Sequence, residues 1–503
     1  MKRNALHAIS LVAILTLIAK GLGMVRDILQ ARAFGATPEV DLFTAANNVT
    51  IYLFTTAAYA LCLAAVPIFA GKLAKSREEA VHSANNIITI TTLFSILVTG
   101  LMLGAANLGL LGNGVGQSGY SFDWYASVMS VTLPIIVVTY LLMALFQAMG
   151  HYSLQGSLSL LYNIVLCGIL LFAGPSMSVP VFTVVVSVAW ILQFAMTVPY
   201  IFKEKYRYQF RLDFKAPELK IYFRTALVTA FTTSAFLLCY LLDTRQSAAL
   251  GAGVTSAFYY ADKLFTPITT TLIYSIGAVM FPKWSEKYAQ MQDGEYRAYV
   301  GGVVENTYVL LLPLSAICSV FGVPIVRVLF EGGSFDLTAS NLTGAIFACY
   351  TLGMVGFALL DLLAKAYYAM GKTRVPLIVN LAVIAANFVC NVLVMWLVPS
   401  TTLVAVATAV VMTLGGVALI AVFFRGAFQA VFSAKRIIRS TLASGIIYAV
   451  LFAASNMLVS ADDGKLMLIL KCGALGVVAF GIYLLLMGRD LIVKKQPERK
   501  EEE

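Results

Sequence analysis

Charged and histidine side chains are scarce in this sequence. Only 12% of its 503 residues are Asp, Glu, Lys or Arg and three are histidine, whereas 60% are hydrophobic. A soluble domain of this composition could not cover its surface with polar groups. The composition therefore excludes a soluble globular protein and predicts an all-α polytopic membrane protein.

Motifs for enzymatic chemistry are also missing. The sequence contains no GxxxxGK[ST] phosphate-binding loop, so an ATP-driven pump is not expected. The three histidines show no catalytic or zinc spacing, and we interpret His151 as a solvated turn residue. The seven cysteines lie in apolar segments without close pairs, which is typical of core residues. We expect no enzyme and no organic cofactor.

Apolar segments long enough to cross the roughly 30 Å hydrocarbon core of a bilayer recur along the whole chain. Lys and Arg concentrate in alternate loops, and the opposite loops carry only Arg245, Arg327 and Lys465. This asymmetry predicts that both termini are cytoplasmic, and it explains the net charge of +10 without a nucleic-acid partner. The predicted transmembrane segments are 5–34, 40–70, 83–111, 122–149, 153–173, 179–202, 221–248, 250–282, 298–322, 339–370, 375–398, 402–424, 438–459 and 465–488.

A short motif recurs in the two parts of the chain. Residues 146–150 read FQAMG at the inner end of the fourth segment, and residues 367–371 read YYAMG at the inner end of the tenth. The recurrence predicts two parallel six-helix halves, 1–203 and 204–425, with a substrate site between them; a chance match is the alternative. Two more helices would follow in 426–488, and a charged cytoplasmic tail in 489–503.

The first apolar segment carries Lys20, Arg26, Asp27 and Arg32. Each charge near the middle of a spanning helix costs roughly 2.5–3.5 kcal/mol on insertion scales. Asp27 cannot neutralise both Lys20 and Arg26, and adjacent residues such as Arg26 and Asp27 are not expected to face each other on a helix. Cations retained at this cost usually face a wet cavity and an anionic partner. The alternative is a buried ion pair that only fixes helix packing.

Further intramembrane charges lie in later segments. Asp41 begins the second segment. Lys263 lies beside Asp262 in the eighth, and we expect Asp262 to face away from it. Lys20, Arg26 and Lys263 would place positive charge on both halves of a central cavity, which favours an anionic, phosphate-bearing substrate. Asp361 and Lys365 are four residues apart on one helix face, and we interpret them as a local ion pair.

Neutral polar residues suggest a cation site. Asn387 and Asn391 share a helix face, and with Asp243 and Thr408 they offer oxygen ligands for a monovalent cation such as sodium. Interhelical hydrogen bonding is the alternative. The glycines of residues 330–336, FEGGSFD, predict a tight turn.

Four stretches together resemble the MurJ/MviN family of lipid II flippases, within the multidrug/oligosaccharidyl-lipid/polysaccharide exporter superfamily. They are GLGMVRDILQARAFGATPEVDLF (21–43), YYADKL (259–264), LFEGGSFD (329–336) and YYAMGKTRVP (367–376).

The resemblance implies a cationic central cavity for a lipid-linked pyrophosphate. By match to the family motifs, Arg26 and Asp27 would be its essential first-helix pair, and Asp41 a family acidic residue. Lys20 and Lys263 stand where arginine is usual. Asp243 and Asn391 match positions that hold sodium in some members, and the last two helices would form a groove for the polyprenyl tail.

One stretch departs from the family pattern. Residues 47–67 read NNVTIYLFTTAAYALCLAAVP, where members often have an Arg-rich stretch with Glu-Gly. The cavity would therefore lack one expected cation, which bears on the choice of substrate.

The resemblance implies a flippase of the bacterial cytoplasmic membrane that moves lipid II outward by alternating access, and we expect a monomer. Its partners would be the lipid-linked pyrophosphate sugar precursor and membrane lipid, and sodium or the membrane potential would give direction. Three alternatives stay open at this point: a Wzx-like flippase for another undecaprenyl-pyrophosphate-linked oligosaccharide, a multidrug cation antiporter, and a scaffold that does not transport.

Overall fold

A computed structural model of the chain describes residues 2–111, 116, 118–425, 431–460 and 462–491. Those residues form helices and turns, and their only β-type pairing is a bridge between Gly332 and Phe335. The predicted all-α class is confirmed. Residues 492–503, most of the predicted charged tail, lie outside the described part.

The α-helices are α1 Lys2–Phe34, α2 Pro38–Asn47, α3 Leu53–Leu73, α4 Arg77–Asn107, α5 Phe122–Ser130, α6 Leu133–Ala148, α7 Ser153–Ser157, α8 Leu160–Ala173, α9 Val179–Gln193, α10 Val198–Lys203, α11 Pro217–Thr233, α12 Ala235–Ser247, α13 Val254–Gln290, α14 Asp293–Val320, α15 Gly322–Leu329, α16 Leu337–Leu352, α17 Met354–Ala369, α18 Arg374–Leu397, α19 Thr401–Phe423, α20 Ala434–Leu458 and α21 Lys465–Met487.

Most predicted transmembrane segments correspond to apolar helices of spanning length. Among the described residues, ten helices are long and apolar enough to cross a membrane. The number rises to twelve if each of two bent helix pairs is counted as one span. The bent pairs are α11 with α12, at 58°, and α16 with α17, at 46°. The two other predicted segments coincide with α1 and α13, which are also long helices. A multi-pass protein is confirmed, whereas the number fourteen and the side of the termini stay predictions.

The chain divides into two compact units. The first runs to Lys263 and includes Phe330–Ala339, and the second comprises Leu264–Leu329 and the chain from Ser340 onward. The predicted halves, 1–203 and 204–425, follow internal sequence symmetry instead and stay a prediction.

Two apolar clusters stabilise the first unit. One joins α3, α4 and α6 around Phe69, Leu141 and Phe146. The other joins the end of α1 to α2, α5, α8 and α9 around Phe43 and Phe182. Because α3 and α6 each bury small or aliphatic side chains against the other, their rotation about the helix axis is fixed, and so are the polar residues beside them.

The second unit is held by contacts of α17 with α19, α18 with α19, and α14 with α20 and α21. Val309, Ile447 and Tyr483 lie in the apolar cluster of the last three helices. Glu305 of α14 binds Arg436 at the start of α20, with 3.1 Å between Oε1 and Nη1. This ion pair and the cluster attach the last two helices to α14.

The recurring motif has the same backbone geometry in both units. Gly150 follows α6 with a φ of +92°, and Gly371 follows α17 with a φ of +70°. In each case the next residue donates its N–H to a carbonyl five residues earlier, at 2.9 Å. Both helices thus end in the same glycine cap, which supports the internal symmetry without testing the domain boundaries.

His151 is not a solvated turn residue, so that interpretation is wrong. Its side chain is 16% exposed, and its Nε2 lies 2.6 Å from Glu204 Oε1. Arg77 at the start of α4 contacts the same carboxylate at 3.1 Å. The start of α4 and the ends of α6 and α10 are therefore joined by one carboxylate.

Candidate functional site

Arg26 lies at the centre of a polar cluster in the first unit. Its Nε and Nη2 donate to Asp27 Oδ1 at 3.1 and 2.7 Å, and its Nη1 donates to Asn163 Oδ1 at 2.9 Å. Asn163 Nδ2 in turn donates to the Ala19 carbonyl at 3.0 Å. The Tyr162 ring centroid is 5.2 Å from Arg26 Cζ. Within the described residues, two of the five guanidinium N–H groups are thus left for a ligand.

The expectation that the adjacent side chains of Arg26 and Asp27 would not face each other is wrong. Their side chains are 6% and 14% exposed and form an ion pair despite being adjacent. The long arginine side chain folds back along the helix, whereas the argument from helix geometry considered only the direction of the Cα–Cβ bonds. The alternative of a helix-packing role is partly realised, because Asn163 attaches α1 to α8.

Lys263 lies against two tyrosine rings. Its Nζ is 4.7 Å from the Tyr52 centroid and 4.8 Å from the Tyr259 centroid. Asp262 Oδ2 is 4.0 Å from the same Nζ and accepts from the Tyr52 hydroxyl at 3.1 Å. The prediction that Asp262 faces away is therefore wrong as well. Two aromatic faces and one carboxylate hold the ammonium group in place.

The stretch that departs from the family pattern supplies Tyr52. Between α2 and α3 the chain forms one π-helical turn, Asn48–Tyr52. Asn48 Nδ2 donates to the Tyr240 hydroxyl at 3.2 Å, and the Tyr52 and Tyr240 rings meet edge to face. Such wide turns inside helices are frequent at functional sites. Here the turn places a tyrosine over Lys263 in a stretch where the family pattern would supply an additional cation.

The clusters of Arg26 and Lys263 share a neighbour. Tyr259 lies close enough to Arg26 and Asp27 to interact with both electrostatically, and its ring faces Lys263. Asp27 and Asp262 offset the formal charges of Arg26 and Lys263. Lys20, six residues or about 9 Å before Arg26 on α1, is exposed.

Three aromatic or amide residues of this site were not predicted from the sequence. Asn163 is the one amide within the apolar stretch LLYNIVLCG, and that isolation is a signal that sequence reasoning could have used. Tyr52 and Tyr162 carry no such signal, because tyrosine is common near membrane boundaries.

Asp41 binds the N-terminus of α13. Its two carboxylate oxygens accept from Gly253 N at 2.6 Å and from Ser256 N and Oγ at 2.7 Å each. A carboxylate at this position satisfies N–H groups that the helix leaves unpaired and complements its dipole. The structure thus shows a helix-capping contact for Asp41, and its role in substrate binding stays a prediction.

The predicted cation ligands fall in both units. In the second unit, Asn387 Nδ2 donates to Thr408 Oγ1 at 2.7 Å, and Asn391 Nδ2 lies 3.4 Å from Asn387 Oδ1. Thr408 also donates to the Val404 carbonyl at 3.4 Å, and all three side chains are buried. Asp243 is buried in the first unit.

Oxygen atoms of this kind suit a hard monovalent cation, so the donor types fit. The observed hydrogen bonds among these side chains also fit the alternative, interhelical hydrogen bonding. The sodium site therefore stays a prediction.

Two further interpretations are confirmed. Lys365 forms an ion pair with Asp361 along α17. Residues 330–336 form a tight turn, in which Gly332 and Gly333 have φ of +123° and +60°. Ser334 N and Oγ donate to the Arg32 and Ala33 carbonyls at 2.8 and 3.0 Å, so this turn caps the end of α1.

A groove runs beside the last two helices. Its volume is about 530 Å³, and it is lined by the apolar residues Ile438, Leu442, Ile446 and Leu486 together with Lys435 and Arg439. Arg439 pairs with Asp490 at 2.6 Å.

The comparison with known proteins decides the family. A family model described as lipid II flippase MurJ matches residues 30–463, which is most of the chain. The chain belongs to the lipid II flippase MurJ family. The match begins after Arg26 and Asp27, so it does not test their roles.

Known relatives and structures agree with this assignment. The chain is 25% identical over 401 residues to the lipid II flippase MurJ of Burkholderia cenocepacia, covering 77% of this chain and 78% of the relative. A probable lipid II flippase MurJ of Vibrio cholerae is 23% identical and covers 77% of both chains.

A solved structure of lipid II flippase MurJ in an inward closed conformation has a TM-score of 0.80 at 19% identity, covering 96% of this chain and 99% of that one. A structure described as an inward-facing multidrug resistance MATE family transporter of the MOP superfamily has a TM-score of 0.62 at 13% identity, covering 88% of this chain and 96% of that one. At these identities the likenesses show the fold alone.

Proposed function

We propose that this protein is a flippase that moves lipid II from the inner to the outer leaflet of the bacterial cytoplasmic membrane. Membership of the lipid II flippase MurJ family supports this function. The main structural support for the binding site is Arg26, which lies inside a membrane-spanning unit. Its guanidinium has two N–H groups that are not used by Asp27 or Asn163 and can bind a ligand.

The head of lipid II would bind by charge and by hydrogen bonds. Arg26 can bind a pyrophosphate oxygen with its remaining N–H groups while Asp27 and Asn163 hold its plane. Lys263 would act as a point charge that the two tyrosine rings position. Lys20, exposed on the same helix as Arg26, would add a further positive charge that attracts the anion.

The family match, rather than the charge of the site, argues against the multidrug alternative. Tyrosine rings and the carboxylates of Asp27 and Asp262 would also suit an organic cation. The matching family model and the curated relatives carry the lipid II flippase description instead.

The polyprenyl tail would stay in contact with lipid along the last two helices. The groove at Ile438, Leu442 and Ile446 is apolar and has Lys435 at one end. An isoprenoid chain fits such a surface, because its transfer from lipid into the groove costs little free energy. A monomer with one such groove is sufficient for transport, and light scattering of the purified protein would measure the oligomeric state.

Transport would follow alternating access, with sodium or the membrane potential supplying direction. Moving one elementary charge through the membrane supplies about 2.3 kcal/mol per 100 mV. No catalytic step is needed, since the substrate crosses unchanged.

Complementation tests the function. The lipid II flippase of a host bacterium is depleted, and this chain is expressed as wild type, as Arg26→Ala, and as Arg245→Ala, with membrane levels checked. Arg245 is exposed in the same unit and serves as the matched control. We expect wild type and Arg245→Ala to restore growth and Arg26→Ala to fail. If well-expressed wild type does not rescue, another lipid-linked oligosaccharide is the substrate; if Arg26→Ala rescues, the proposed site is wrong.

A further inference from the structure

The loop between α10 and α11 is hydrogen-bonded to side chains along α4. Tyr206 donates its hydroxyl proton to Asn85 Oδ1, and the Tyr208 hydroxyl lies 2.8 Å from Thr89 Oγ1. Arg211 N reaches the same Thr89 oxygen at 3.5 Å. The chain then returns to Asn86.

At Asn86 two hydrogen bonds close the loop. Asn86 Nδ2 donates to the Asp213 carbonyl at 3.0 Å, and Asp213 N donates to Asn86 Oδ1 at 2.8 Å. Residues 206–213 therefore run from Asn85 to Thr89 and back, with Gln209 and Phe210 at the turning point.

The turning point lies toward the bilayer. Thr89 is four residues, or about 6 Å, further along α4 than Asn85. The polar start of α4, REEAVHSANN, ends at Asn86, and its apolar run begins at Ile87. At 1.5 Å per residue this 31-residue helix is about 46 Å long, which exceeds the roughly 30 Å core, so Asn85 and Asn86 lie near the membrane boundary.

The side chains of the loop match such a boundary. Phe210 and Phe214 are both 69% exposed, Tyr208 51% and Leu212 45%. Water would be an unfavourable environment for four large apolar groups on one short loop. Aromatic side chains at the headgroup level are typical of membrane interfaces.

Cations alternate with these apolar groups. Arg207, Arg211 and Lys215 are exposed and have no ion-pair partner among the described residues. Of the nearby acids, Glu204 binds Arg77 and His151, and Glu218 lies near Lys72 and Ser83. The loop itself contains one exposed carboxylate, Asp213, which accepts from Lys215 N at 2.9 Å. Residues 206–215 thus present three cations and one carboxylate, a net positive charge beside apolar side chains.

We propose that residues 206–213, with Phe214 and Lys215, form a membrane-interface anchor for anionic phospholipids. Phe210 enters the boundary between headgroups and acyl chains, and Arg207, Arg211 and Lys215 bind lipid phosphates. The anchor acts on the leaflet at which α4 begins. Each such cation favours an anionic surface by roughly fivefold in partitioning. The hydrogen bonds to Asn85, Asn86 and Thr89 hold the loop at this depth.

The depth of Phe210 in a membrane tests the proposal. In a full-length variant with its seven cysteines replaced, a nitroxide is attached at Phe210→Cys or, as a control, at Gln292→Cys, an exposed position before α14. Both proteins are placed in phosphatidylglycerol/phosphatidylethanolamine vesicles. We expect the nitroxide at 210 to collide more with oxygen than with a water-soluble nickel chelate, and the nitroxide at 292 to show the reverse.

The charge requirement is tested in the same system. Substituting Arg207, Arg211 and Lys215 by glutamine, or replacing phosphatidylglycerol by phosphatidylcholine, should reduce the immersion of the 210 nitroxide while the 292 spectrum stays unchanged. Equal immersion in both lipids would overturn the preference for anionic lipid. A 210 nitroxide as accessible to nickel as the one at 292 would overturn the anchor and leave the aromatic loop open to an aqueous protein partner.

Discussion

At the scale of single residues, the site is defined by the partners that its long cationic side chains contact. Arg26 is held by the adjacent Asp27 and by Asn163, which is 137 positions away in the chain. The first contact is local, and the second requires that α1 and α8 pack together. A guanidinium fixed in this way loses little side-chain freedom when it binds an oxyanion, which favours binding.

Substituting Arg26 by lysine should impair transport strongly although the charge is kept. A lysine ammonium cannot bind Asp27 and Asn163 with a rigid fork and also present two N–H groups to a ligand. Losing one charge-assisted hydrogen bond costs about 1.5–3 kcal/mol, or roughly 10- to 150-fold in rate or affinity. Transport of the lipid-linked precursor by proteoliposomes measures this, with Arg245→Lys as the control. Equal rates for Arg26→Lys and wild type would show that only charge matters at this position.

At the scale of elements, two contacts hold the ends of helices in the first unit. The turn at residues 330–336 caps α1, and Glu204 joins the start of α4 to the ends of α6 and α10. Each contact can be changed without touching the proposed substrate site.

Gly333→Ala should destabilise the first unit more than Gly109→Ala does. Both glycines have a left-handed φ, +60° and +66°, so alanine is strained at either position. A Cβ at Gly333 would lie 2.3 Å from the Arg32 carbonyl oxygen, whereas a Cβ at Gly109 meets no atom within 4 Å. The melting temperature of the detergent-purified variants measures the difference. Equal losses would mean that the contact with α1 contributes nothing beyond backbone strain.

Stability should fall in acid through Glu204. The hydrogen bond from His151, and then the charges of His151 and Arg77, lower the pKa of this carboxylate below its usual 4.5. A lowered pKa stabilises the folded state above the unfolded value, and this contribution is lost as the pH falls through the folded-state pKa.

Glu204→Gln should therefore be less stable than wild type at pH 7. The difference should be small, since Glu204 is partly exposed, and it should disappear at a pH below the folded-state value. Thermal unfolding of both proteins across this range measures it. A pH-independent difference would rule out the carboxylate charge as its cause.

At the scale of the whole molecule, the open question is whether the buried amides bind a cation. Asn387, Asn391 and Thr408 already hydrogen-bond one another between α18 and α19. Helix packing alone could explain these bonds, so binding must be measured directly.

Sodium should raise the melting temperature of the wild type relative to an equal concentration of choline. A ligand that binds only the folded state stabilises by RT ln(1 + [L]/Kd), about 2.7 kcal/mol at 100 times Kd. Asn391→Ala should abolish the difference, and Asn380→Ala, which removes another amide on the same helix α18, should keep it. A wild type that shows no sodium-specific shift would leave these residues as interhelical contacts.

The sequence by itself determined the class of the protein and most of its helices. Whether a segment enters a bilayer depends on its own composition and length, which are local properties. The glycine caps at Gly150 and Gly371 and the ion pair of Asp361 with Lys365 were predictable for the same reason, because their partners lie within one or two turns.

Only the tertiary structure decided the partners of the intramembrane charges. Asn163 on Arg26, the two tyrosine rings on Lys263 and the helix cap by Asp41 all join segments far apart in the chain. Such contacts depend on the rotation of each helix about its axis and on which helices pack together. An apolar helix face is about equally stable against lipid and against protein, so its composition does not determine the rotation. The rotation is determined by how the helices pack in the folded unit.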